Sequence, residues 1–68
     1  MDIKLKVGRR IKELRLNLKI SQEEFAFKCG LDRTYITSVE RGKRNISLVN
    51  IEKIANAFNL KLSEFFDF

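Results

Sequence analysis

Between residues 33 and 41 the chain reads Arg-Thr-Tyr-Ile-Thr-Ser-Val-Glu-Arg, a run rich in groups that can read a polymer by hydrogen bonding. At 100° per residue, Ile36 and Val39 turn to one side of a helix. Thr34, Thr37, Ser38 and Arg41 gather on the other side, and Arg33 and Tyr35 flank its edges. Hydroxyls, guanidinium forks and one aromatic ring suit base edges, thymine methyls and phosphates. No acid lies at the centre of this face. Glu40 projects beside the apolar stripe, where a carboxylate is costly unless paired, and Arg15 on the first helix is its expected partner. Taken alone, such a face serves an ordinary solvated helix as well as a reader, so the elements around it have to decide.

The preceding segment supplies them. Ser21 and Glu24 have the spacing of a capping box, in which the hydroxyl accepts from the Glu24 N–H and the Glu24 carboxylate accepts from the Ser21 N–H. Phe25, Ala26 and Cys29 then recur at helical spacing, and Gly30 can end that helix in a left-handed conformation without the steric cost of a Cβ. Leu31 anchors the turn and Asp32 is a suitable N-cap for the next helix. Two short helices, about 22–29 and 33–41, joined through a Gly turn match a helix-turn-helix.

The remaining elements read as three further helices. The first runs from about Ile3 to Leu18, with Ile3, Val7, Ile11, Leu14 and Leu18 inward and Lys4, Arg9, Lys12 and Lys19 outside. Residues 42–46 form a loop. Ser47 caps a fourth helix whose inner stripe is Leu48, Ile51, Ile54, Ala55 and Phe58, leaving Asn50, Glu52, Lys53 and Asn56 outside. Ser63 is placed to cap a last short helix carrying Glu64, Phe65, Phe66 and Phe68. Three Phe within four residues exceed what one small core absorbs, so Leu60, Phe65, Phe66 and Phe68 are expected to meet a second subunit. The fold class is all-α, a five-helix compact bundle forming one domain over 1–68.

Composition bounds the chemistry. One Cys and no His leave neither a disulfide framework nor a common metal site, and no nucleophile–base pair for an enzyme. Cys29 reads as a small core residue. No cofactor is expected. No stretch is long and apolar enough to span a bilayer and no apolar signal core opens the chain, so a cytoplasmic protein without membrane contact is expected. Net charge is +5, distributed as +6 over residues 1–44 and −1 over residues 45–68. The basic half contains the candidate reading helix, an electrostatic footprint for a polyanion.

Four segments together, Ile20 to Ala26, Gly30 to Ile36, Glu40 to Arg44 and Leu60 to Phe65, resemble the Cro and phage-repressor type helix-turn-helix, the Xre family. Its fold is that of a lambda-repressor-like DNA-binding domain. Within it, Asp32-Arg33-Thr34-Tyr35-Ile36 with Arg44-Asn45-Ile46-Ser47 looks most like the controller proteins of restriction-modification systems. The resemblance implies a homodimer on an inverted-repeat operator in double-stranded DNA, with RNA polymerase as a further partner and the nucleoid as its place in the cell. Arg33, Thr34, Tyr35, Thr37 and Ser38 would face the major groove. Arg15, Ser21, Gln22, Arg41, Lys43, Arg44 and Asn45 would lie along the DNA backbone, with Gln22 also bracing a reading side chain. Arg15 and Glu40 match a structural ion pair in the family. Thr37 followed by Ser38 departs from the small residues usual there. A phage-type or orphan regulator shares the same words, and an antitoxin shares the fold but needs an added segment to cover its toxin. An RNA-binding helical protein would display more exposed rings than Tyr35.

Overall fold

The computed structural model describes residues 2–68; Met1, the first residue of the domain expected over 1–68, lies outside the described residues. Five α-helices follow in order: α1 (Ile3–Asn17), α2 (Gln22–Cys29), α3 (Arg33–Glu40), α4 (Leu48–Ala57) and α5 (Leu62–Phe65). There is no strand among the described residues.

Local chemistry sets the starts of three helices. Asp2 accepts from the Lys4 N–H at 2.8 Å to open α1. At α2 both halves of the capping box form, with Glu24 N–H donating to Ser21 Oγ at 3.0 Å and Ser21 N–H to Glu24 Oε1 at 2.9 Å. The Ser21 backbone N–H first, and the Ser21 hydroxyl second, hold the Glu24 carboxyl below its usual range. Ser47 Oγ accepts from the Asn50 N–H at 3.1 Å to open α4. Gly30 closes α2 at φ 71, and the Leu31 N–H reaches Ala26 O at 2.9 Å, a Schellman closure that turns the chain into α3.

Asp32 has N-cap geometry at α3, yet its side chain makes no cap bond. The orientation of α3 is therefore set by packing. Val7, Ile11, Phe25, Ile36, Val39, Ile54 and Phe65 are all within a few per cent of complete burial. Each such aliphatic or aromatic side chain contributes roughly 1.5–3 kcal/mol. The Phe25 and Phe58 rings stack at 4.5 Å, tying α2 to α4. Gly8 lets α1 approach α3: a Cβ there would collide with Val39 O and stand 2.9 Å from Glu40 O.

Several expectations are corrected. Helix α5 begins at Leu62 with Lys61 as N-cap, so Ser63 falls inside its first turn. Only the Glu64 half of a capping box exists there, Lys61 N–H donating to Glu64 Oε1 at 2.8 Å, since an ammonium offers no acceptor. Phe65 is fully buried beneath α5 and closes the core, which removes it from any intermolecular surface. Leu48 is 87% exposed because it stands in the first turn of α4, beyond the edge of the core. Ile3 and Leu18 likewise lie outside, at the two ends of α1.

Candidate nucleic-acid interface

Four side chains fasten α3 to the rest of the molecule. Glu40, at its last turn, receives Arg15 Nε at 2.7 Å on Oε2 and Arg15 Nη2 at 3.0 Å on Oε1. Arg15 Nη1 also donates to Ile20 O at 3.0 Å. Gln22 Nε2 donates to Glu40 Oε1 at 3.1 Å, and Thr37 Oγ1 donates at 3.0 Å to Gln22 Oε1, a proton shared with Arg33 O at 3.1 Å. The Arg15 and Glu40 side chains are only 9% and 4% exposed. The Glu40 hydrogen bonds raise the Arg15 guanidinium above its usual range; burial pulls the other way and the Glu40 charge adds to the rise. No buried side-chain polar atom lacks a partner among the described residues, so the pair meets the condition under which a buried charge is tolerated.

This network decides two sequence assignments. The ion pair expected between Arg15 and Glu40 is present. The backbone-contact role of Arg15 is corrected, because its guanidinium is spent on Glu40 and Ile20 and withdrawn from solvent. Gln22 braces Thr37 as expected, and with both ends of its amide directed inward it keeps a single N–H for a phosphate.

The outward face of α3 is built on that base. Arg33 and Thr34 are exposed, whereas Tyr35, Thr37 and Ser38 are half-buried. Ser38 Oγ donates to Thr34 O at 3.1 Å, which leaves the oxygen free to accept. Arg33 Nη1 stands 3.6 Å from Glu23 Oε2, a solvated pair that DNA can displace. Along one flank Arg41, Lys43, Arg44 and Asn45 are exposed, and Ser21 is exposed at the N-terminus of α2. The Arg44 guanidinium lies 5.3 Å from the Tyr35 ring centroid. The structure thus links Tyr35 to Arg44, Thr37 to Gln22 and Arg33 to Glu23 around the outward face of α3, whereas Arg15 is turned inward.

A helix-turn-helix family profile matches residues 11–65. The chain belongs to the helix-turn-helix family. Its Xre-type relatives include the control protein C.MunI of a Mycoplasma species, with which this helix-turn-helix protein shares 52% identity over 66 residues, covering 96% of this chain and 89% of the relative. The restriction-modification controller protein C.AhdI from Aeromonas hydrophila superposes with a TM-score of 0.88 at 51% identity, over 93% of this chain and 96% of that one. The controller protein C.Esp1396I, solved as a tetramer with its natural 35 base-pair operator, gives a TM-score of 0.90 at 36% identity, over 98% and 88% of the two chains.

Three features of this helix-turn-helix protein were not found by sequence reasoning. Asn50 Nδ2 donates to Tyr35 Oη at 3.2 Å, linking α4 to the reading face. Arg10 Nε and Nη2 donate to Phe65 O and Glu64 O at 2.9 and 3.0 Å, clamping the C-terminal end of α5. An apolar surface groups Ile3, Leu48 and Phe66 around one groove, with the exposed Phe68 ring 6.2 Å from that of Phe66. Only the last left a trace in the sequence, in the Phe66 and Phe68 expected at the surface; the share of Ile3 and Leu48 in it was missed, since both were placed inward. No cluster that could hold a metal occurs among the described residues, and none of their helices is long and apolar enough to cross a membrane.

Proposed function

We propose that this chain is a sequence-specific regulator of transcription, binding double-stranded DNA as a homodimer on an inverted-repeat operator, and the controller of a restriction-modification system. The observation that carries this reading is the outward face of α3, polar and acid-free at its centre, held through Gln22 and Thr37 on the buried Arg15–Glu40 pair. Arg33 supplies a bidentate fork for guanine, contributing roughly 1–3 kcal/mol of discrimination. Tyr35, Thr34, Thr37 and Ser38 add contacts to neighbouring bases. Ser21, Gln22, Arg41, Lys43, Arg44 and Asn45 fix register on phosphates, which makes affinity fall steeply with salt. The kinship with C.MunI and C.AhdI supports the controller role.

Self-association places two copies of α3 about 34 Å apart, one turn of DNA, on one side of the duplex. The apolar surface around Ile3, Leu48, Phe66 and Phe68, with the half-buried Leu60 at the foot of α5, is the face that a second copy covers. Bound beside a promoter, the dimer represses by excluding RNA polymerase or activates by touching it, and it works in the cytoplasm on the nucleoid. Selection of bound duplexes from a random pool at physiological ionic strength tests the reading: a palindromic consensus is expected, and failure of any sequence to enrich would overturn it.

A further inference from the structure

Tyr35 is the one reading side chain gripped from two directions by elements outside its own helix. The Arg44 guanidinium lies over its ring face at 5.3 Å from the centroid, and Asn50 Nδ2 meets its hydroxyl oxygen at 3.2 Å. The main chain of Asn50 is itself anchored, because its backbone N–H donates to the Ser47 cap in the first turn of α4. A phenol is both donor and acceptor, so a protein donor on Oη removes acceptor capacity and leaves the O–H pointing outward.

We propose that Asn50 is a positioning residue for base recognition, which by donating to Tyr35 Oη fixes this phenol as a hydrogen-bond donor toward DNA. So oriented, Tyr35 selects a major-groove acceptor, guanine O6 or N7, adenine N7 or thymine O4, and disfavours the cytosine amine at the position it meets. Asn50 does this without touching DNA. The inference rests on the DNA-reading role of α3 and adds to it a residue of α4, the helix whose first turn also carries the exposed Leu48 and Val49.

The test uses the full chain as N50A, N50D, Y35F and the double variant N50A/Y35F, with the duplex selected by the wild type, its single-base variants and random duplex. One neutral hydrogen bond corresponds to about a fivefold change in equilibrium constant. N50A is expected to lower discrimination against cytosine at one position about fivefold while leaving affinity for random duplex unchanged. Y35F should lose the same discrimination at that position, and adding N50A to Y35F should lower it no further. N50D, nearly identical in size, draws the phenolic proton onto its carboxylate and should weaken the acceptor preference more than N50A does. Tyr35 is the only tyrosine and the chain has no tryptophan, so its fluorescence anisotropy reports ring mobility directly and should drop in N50A. Unchanged discrimination in N50A and N50D, or additive losses in the double variant, would overturn the proposal while leaving DNA reading intact. A wild type that selects no duplex would instead overturn the reading beneath it.

Discussion

Replacing Glu40 by Ala should be the most damaging single change to the polar interior, and the cost follows from its partners. The carboxylate takes two hydrogen bonds from Arg15 and one from Gln22, at 2.7, 3.0 and 3.1 Å. Its loss strands a guanidinium in a site where the Arg15 side chain is only 9% exposed. Removing one member of a buried pair costs about 3–5 kcal/mol, mostly as the penalty of the charge left behind. A domain of this size has roughly 3–10 kcal/mol of total stability. Each kcal/mol shifts Tm by about 4–8 °C, so Glu40→Ala should lower Tm by at least about 12 °C and unfold part of the population at 37 °C. Thermal and urea unfolding followed by circular dichroism measure this, with Arg15→Met and the double variant Arg15→Met/Glu40→Leu completing the cycle. The double variant, having no stranded charge, should recover most of the loss. A Glu40→Ala cost near 1 kcal/mol, or strictly additive single costs, would refute the view that this pair is a desolvated, coupled unit.

Four further outcomes are expected. Arg33→Ala should abolish sequence preference while sparing weak, salt-sensitive binding, and Lys43→Ala should weaken binding to all duplexes alike and reduce the salt slope by about 0.9; fluorescence anisotropy across a salt series separates them. Phe66→Ala or Phe68→Ala should weaken self-association in sedimentation equilibrium while leaving helicity unchanged, whereas Phe65→Ala should lower Tm through a core cavity costing about 3–5 kcal/mol. Gly8→Ala should destabilise despite the helix preference for Ala, because its Cβ meets the α3 carbonyls; urea midpoints measure it. Burial pushes the Cys29 thiol up to about 11 from an ordinary 9.0, so at neutral pH it should carry roughly a hundredfold less thiolate and resist thiol reagents until unfolded. With the folded value the higher one, stability tied to this proton is complete below about pH 9 and lost as pH rises through 11.

What the sequence disclosed was mostly short in range. The Ser21–Glu24 box, the Gly30 turn and the two-sidedness of α3 depend on residues within a few positions of one another, and each stands where the pattern put it. The Arg15–Glu40 pair was reachable by elimination, since a carboxylate beside an apolar stripe needs a cation. The same logic did not remove Arg15 from the DNA surface, because burial of its guanidinium depends on how closely α1 and α3 approach at Gly8. Leu48 and Phe65 show the converse error. Periodicity places a residue on a side of its helix, but whether that side meets the core depends on where the neighbouring helices end. Asn50 looked like an outward polar residue, and it is one; only the path of the 42–46 loop and the start of α4 carry it to Tyr35.

The outward face of α3 is expected to enter the major groove twice on one side of a duplex. Dimethyl sulfate methylation of guanine N7, a major-groove atom, on a duplex selected by the wild type tests this directly. Protection is predicted in two symmetric patches about one helical turn apart, lost in both when Arg33 is replaced by Ala. Full reactivity of every guanine N7 under a saturating complex, or protection indifferent to Arg33, would contradict it.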